Sequence, residues 1–160
     1  MITQQAPTIP ESGSEPDALR YALIPVNGPG IAVATAVWML DDGQRGTRAR
    51  ILAAGEPLPY GAQPVILAET TVYGASCVEG LLMHWGPLPK PWLVWIADAP
   101  ARPVPDARYL VRALMDRLAG VARVPYLPVL RTVRGPEDAF AYKDVQAAAE
   151  ELRRTLEGNR

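Results

Sequence analysis

Apolar residues fall in discrete runs, and each run has a period that names an element. "RYALIPV" (20–26) is β-rich and reads as a first strand. "IAVATAVWML" (31–40) is apolar on every face, which suits a short buried helix better than an amphipathic one. Residues 41–62 are turn-rich, with one short strand expected around 50–54. "QPVILAET" (63–70) has a continuous apolar centre between polar ends, as a strand buried on both faces would. A helix is predicted over 71–85, weakened by Gly74 and Gly80. "PWLVWIAD" (91–98) is a third buried strand. Over 106–120, Ala107, Leu110, Val111, Leu114 and Leu118 make the stripe of an amphipathic helix, with Pro105 and Asp106 at its start and Gly120 at its end. "ARVPYLPVL" (122–130) is a fourth strand, whose two prolines suggest an edge or an early finish. The last helix spans 143–158, with Val145, Ala149, Leu152 and Leu156 inward and Glu150 placed to pair with Arg154.

Strand followed by helix, four times over, predicts an α/β fold of three layers. Its sheet is mostly parallel, of the Rossmann-like or P-loop NTPase-like kind. Residues 19–158 form one domain in this reading. Residues 1–18 are rich in Pro, Ser, Gln, Thr and Glu and read as a disordered tail. Right-handed crossovers bring every strand's C-terminal end to one sheet edge, where ligands bind. That edge is expected to hold Asn27, Gly28 and Gly30 after the first strand, and Glu69, Thr70 and Thr71 after the second. Asp98 follows the third strand and Arg131 the fourth.

Composition narrows the classes. The chain has 160 residues, 49% of them apolar, enough for one domain with a core. Sixteen basic and 17 acidic residues leave a net charge of −1, which argues against an overall grip on nucleic acid or acidic membranes. Cys77 is the one cysteine and His84 the one histidine, so neither an internal disulfide nor a usual zinc cluster can form. The longest apolar run is ten residues, against about 20 for a membrane span. The first residues lack the basic start and apolar stretch of a signal peptide. The expectation is a soluble, cytoplasmic protein.

"PVNGPGIAVATAV" (25–37) carries the main chemical question. A glycine-rich turn between strand and helix is where α/β proteins hold phosphate. A working phosphate loop also needs a lysine for the terminal phosphates and a Ser or Thr for Mg²⁺. Here Gly28 and Gly30 supply the turn, Pro29 removes a backbone N–H, and the lysine and hydroxyl positions are apolar. Thr35 lies a turn deeper, facing into packing. Two readings stand: a plain strand-to-helix turn, or a relic that keeps weak anion contact at the helix N-terminus.

The order of pieces resembles the ParA/MinD-type P-loop ATPases, in the form of their actinobacterial mobile-element relatives. The matching text is "PVNGPGIAVATAV" in the loop position, "PVILAETTVYGASCVEGLLMHW" (64–85) in the second strand and helix, and "LVWIADAPARPVPDARYLVRALMDRLAGVARVPYLPVL" (93–130) in the third and fourth units. It covers about Ala22 to Leu156. The resemblance implies that Asn27 to Ala34 line the phosphate side, that Thr70 and Thr71 face it, and that Asp98 and Pro100 lie on the base side. The missing lysine and hydroxyl then imply a degenerate member without ATP hydrolysis. Such a protein would be an interaction or regulatory component of a plasmid, conjugative element or phage, with a protein partner or a second copy as its target. No cofactor is expected beyond weak contact with ATP or ADP. The alternatives are a nucleotide-binding ATPase with an atypical loop and a self-assembling structural subunit.

Other chemistry-bearing residues have plainer readings. Cys77 and His84 share a helix face, but seven residues rise about 10 Å, too far for a nucleophile–base hydrogen bond. Asp41-Asp42-Gly43 is a turn sequence before it is a metal site. Arg45, Arg48 and Arg50 make a small basic loop, a weak candidate for nucleic acid and more simply a solvated turn. Trp38, Trp85, Trp92 and Trp95 are expected in or near the core.

Overall fold

A computed structural model describes residues 19–28 and 30–158. The tail expected over 1–18 and Pro29 lie outside the described residues. Five strands form one all-parallel sheet. They are β1 (Tyr21–Pro25), β2 (Ala49–Ile51), β3 (Gln63–Glu69), β4 (Trp92–Ile96) and β5 (Gly120–Val124). Their spatial order is β2-β1-β3-β4-β5. This is the flavodoxin-like order among doubly wound sheets, and its direction reverses between β1 and β3.

The helices are α1 (Ile31–Asp41), α2 (Val72–Met83), α3 (Pro105–Ala113), α4 (Pro136–Ala139) and α5 (Lys143–Gly158). The period-2 alternation of each strand sorts them into two layers. Leu23, Val65, Leu67, Val94, Ile96, Ala122 and Val124 point into one core with α1, α4 and α5. Ala22, Ile24, Ile66, Ala68, Leu93 and Trp95 point into the other, with α2, α3 and the loop after β2. That loop, residues 52–62, has no helix and covers the sheet with Leu52, Leu58 and Ala62 instead. The four strand–helix units of the sequence reading are therefore present, and the short β2 is a fifth strand outside them.

Both faces of α1 are used, which is why its sequence is apolar all round. It packs on β1 and β2 below and on α4 and α5 beside it. Thr35 is fully buried and donates to the Ile31 carbonyl at 2.7 Å, so its hydroxyl is satisfied inside the helix. The last residue of α1, Asp41, accepts from the backbone N–H groups of Gly46, Arg48 and Ala49 at 2.9, 3.1 and 3.1 Å. Its side chain builds the turn into β2 by accepting these backbone donors.

Several boundaries differ from expectation. The helix predicted over 106–120 stops at Ala113 and continues as a 3-10 turn, Met115–Arg117. Gly120 does not cap it; it opens β5 directly beneath the Trp92 ring, where a Cβ would lie 2.5 Å from ring carbon. The strand predicted over 122–130 runs from 120 to 124. Pro125 ends it, and Pro128 starts a second 3-10 turn, Pro128–Arg131. Arg131 thus belongs to that turn and not to the end of a strand. Trp85 and Trp95 are buried and Trp92 is half-buried, but Trp38 is 40% exposed, on the outer side of α1 near Phe140.

Candidate functional site

The direction reversal between β1 and β3 opens the C-terminal edge of the sheet, and most of the expected residues meet there. Asn27 leaves β1 and reaches across to β3, where its side-chain oxygen accepts from the Glu69 N–H at 3.0 Å. The Glu69 carbonyl accepts from the Trp95 indole N–H at 2.9 Å, which ties β3 to β4. Thr70, 4% exposed, donates to Asp98 Oδ1 at 3.0 Å, and its hydroxyl oxygen accepts the Asp98 N–H at 3.3 Å. Thr71 caps α2 by accepting from the Gly74 N–H at 2.9 Å. Gly28 has φ +88°, the left-handed conformation that its missing side chain permits. Gly30 is extended at φ −177° and precedes α1 without supplying a side-chain cap. Arg131 lies in the 3-10 turn after β5.

One residue of the site was read differently from sequence. Gly74 looks like a weak point in a helix, but it is a contact point. A Cβ there would sit 2.3 Å from the Glu69 carbonyl oxygen and 3.1 Å from Asn27 Oδ1. The first turn of α2 can tuck under the end of β3 only because residue 74 has no side chain. A glycine one turn into a buried helix was the available signal. Trp95 was also missed; its indole N–H needed a partner, and the nearest strand end provides one.

Charge decides what this edge can do. The residues that meet there bring two carboxylates, Glu69 and Asp98, and none of them is a lysine, arginine or histidine; Arg102 stands four residues beyond Asp98 in the loop from β4 to α3. The hydroxyls of Thr70 and Thr71 and the Asn27 carbonyl oxygen are already engaged with protein groups. The two carboxylates oppose the charge of a polyphosphate, and among the described residues no cationic side chain is ion-paired to them. What remains for an anion is the uncapped start of α1.

The other candidates are dispersed. Cys77 is a half-buried free thiol in mid-α2, while His84 is exposed at the end of that helix, with Nδ1 3.2 Å from the Gly80 carbonyl oxygen. The basic loop lies toward the opposite sheet edge, and two of its three arginines are neutralised. Arg48 pairs with Glu157, and Arg50 holds Glu56 through two bonds of 3.0 and 2.6 Å. Burial would raise the Glu157 carboxyl, but the Tyr21 hydroxyl, Arg48 and Arg20 outweigh it and hold the group below its ordinary range. Also on that opposite edge, an open groove of about 380 Å³ is lined by Leu58, Tyr60, Pro64 and Pro89 and has no charged group on its walls. Among the described residues no cluster of His, Cys, Asp and Glu could hold a metal ion, and no helix is long and apolar enough to cross a membrane.

No protein-family model matches the chain, and no curated protein or solved structure matches it either.

Proposed function

We propose that this chain is a non-hydrolysing α/β protein that works by contact with another protein. The observation that carries the reading is the state of its ligand edge. Asn27 Oδ1, the Thr70 and Thr71 hydroxyls and Asp98 Oδ1 engage one another or nearby backbone, and none of these residues is cationic. A catalytic edge keeps polar groups free for the reacting atoms and places positive charge where negative charge develops. This edge uses its polar groups to lock β1, β3, β4 and α2 together. The likeness of the element order to ParA/MinD-type proteins supports a finer version: a degenerate member serving a plasmid, conjugative element or phage as an interaction or regulatory component. The host part rests on that likeness and on the Ala-, Arg- and Pro-rich texture of the chain.

The test is turnover of Mg-ATP together with chemical-shift mapping by ATP, ADP and sulfate. The expected result is phosphate release equal to the enzyme-free blank. Turnover that Asp98→Ala abolishes would overturn the reading. A second reading, a nucleotide-binding ATPase with an atypical loop, is favoured by one feature, the uncapped N-terminus of α1. It requires ATP shifts centred on Gly28, Gly30 and Ile31 at micromolar affinity. Sulfate shifts alone at the same residues fit only a relic anion contact.

A further inference from the structure

The net charge of −1 hides a strong asymmetry. Residues 99–135 carry seven arginines against two aspartates, Asp106 and Asp116, while the remaining 123 residues carry nine basic and fifteen acidic groups. This stretch includes α3, the edge strand β5 and the 3-10 turns beside them. The ion pairs among the described residues use Arg20, Arg48, Arg50, Arg153 and Arg154. Among the described residues, none of the seven arginines of 99–135 has its guanidinium within 4 Å of a carboxylate. The stretch therefore carries a net charge of +5, and its guanidinium groups are not ion-paired.

Its placement makes it a surface. Arg102 is exposed before α3, Arg112 on its last turn and Arg117 just after it. Arg123 alternates with the buried Ala122 and Val124 on the edge strand, so it projects on the α3 side of the sheet and is exposed there. The same segment, α3 and the 3-10 turn after it, exposes Tyr109 at 62% and Met115 at 45%, together with Asp106 and Asp116. The Arg112 guanidinium lies 5.9 Å from the Tyr109 ring centroid. Arginine, tyrosine and methionine in the absence of lysine are the composition of a protein-binding face.

We infer that the outer face of α3 and the β5 edge docks an acidic protein segment, one whose carboxylates meet Arg102, Arg112, Arg117 and Arg123 and whose apolar side chains pack on Tyr109 and Met115. Guanidinium groups pair with carboxylates through two parallel bonds, which gives register as well as attraction. A protein segment fits better than a nucleic acid because apolar anchors interrupt the cations and because the rest of the chain is acidic, which repels a long polyanion. The inference deepens the contact reading above and depends on it, but its test does not involve nucleotide.

The probe is a fluorescein-labelled peptide of about ten residues, mostly glutamate with interspersed leucine and phenylalanine, titrated into the full chain by anisotropy and by chemical-shift mapping. Saturable binding is expected, with shifts on α3 and β5. It should weaken by about tenfold in the double variant Arg112→Glu/Arg123→Glu, and several-fold between about 50 and 200 mM NaCl. Both positions are exposed, and unchanged thermal unfolding of the variant confirms that the fold is retained. A Tyr109→Ala variant should weaken binding at unchanged salt dependence. Four results overturn the inference: no binding, binding unaffected by charge reversal, tighter binding of a single-stranded or duplex oligonucleotide on the same face, or salt-sensitive self-association that occupies the face without peptide. Absence of peptide binding together with absence of ATP turnover removes the docking face and leaves the contact reading standing.

Discussion

Glycine-to-alanine substitution should have opposite signs at two positions of α2. In both, alanine gains helix propensity of about 1 kcal/mol, since glycine loses more backbone entropy on folding. At Gly80 the added methyl meets nothing within 4 Å and the position is exposed, so Gly80→Ala should keep that gain. At Gly74 the methyl would be placed 2.3 Å from the Glu69 carbonyl oxygen, a backbone atom held by β3 and by the Trp95 indole. It would also press on Asn27 Oδ1 at 3.1 Å, the acceptor that ties β1 to β3. Relief requires α2 to move away from the sheet. Overpacking of this kind costs about 1–3 kcal/mol, and a weakened Asn27–Glu69 bond about 1 more. After the propensity gain is subtracted, Gly74→Ala should destabilise by about 2 kcal/mol. For a chain of this size that is a fall in Tm of about 4–8 °C, against a rise of about 1–4 °C for Gly80→Ala. Thermal unfolding by circular dichroism, with urea midpoints as a check, reads both. Equal effects of the two substitutions, or a Gly74→Ala protein as stable as the parent, would refute the close approach of α2 to β3.

Asp41→Ala should cost about 2–4 kcal/mol, because three backbone N–H groups at the entry to β2 lose their acceptor together; urea unfolding measures it, and a loss below about 1 kcal/mol would mean that water replaces the carboxylate at little cost. The Glu157 carboxyl is held below its ordinary value in the fold, so its contribution is present above the unfolded pKa near 4.5 and is lost as pH falls through the lower folded value. Glu157→Gln should therefore lower stability at pH 7 by about 1 kcal/mol or less, given partial exposure, and the difference from the parent should vanish in acid. At the other end of the scale the Tyr21 hydroxyl is pushed up, by burial first and by its bond to Glu157, so folding keeps the proton on; Tyr21→Phe should flatten the loss of stability above pH 10, and an unchanged alkaline limb would contradict the network.

Local pattern was enough to read most of the elements. The continuous apolar centres of 63–70 and 91–98, the 3.6-residue stripes of 106–114 and 143–156, and the glycine-rich turn after 26 are properties of neighbouring residues. From strand–helix alternation and the handedness of crossovers, the meeting of Asn27, Glu69, Thr70, Thr71 and Asp98 at one edge also followed. Chain ends of elements were less legible. Gly120 and the prolines at 125 and 128 are stop signals in any local reading, yet Gly120 starts a strand because the Trp92 ring occupies the space where a side chain would be. Strand order, and with it the reversal between β1 and β3, depends on pairings between segments far apart in sequence.

Which groups are free and which are spent was decided only in three dimensions. Asn27 finds Glu69 across 42 residues, and Arg48 finds Glu157 across 109. Such contacts have no period and leave no mark on either residue's neighbours. The same holds for Gly74, whose role depends on a carbonyl at the end of another element, and for Trp38, 40% exposed with its ring 6.3 Å from that of Phe140 at the end of α4. The sequence contains the basic stretch of 99–135 as a count; only the folded chain shows that its guanidinium groups form no ion pair and that Arg102, Arg112, Arg117 and Arg123 are exposed. Secondary structure follows the nearest residues because backbone hydrogen bonds and side-chain faces repeat over a few positions. A site follows from tertiary structure because its chemistry depends on which distant groups have already satisfied each other.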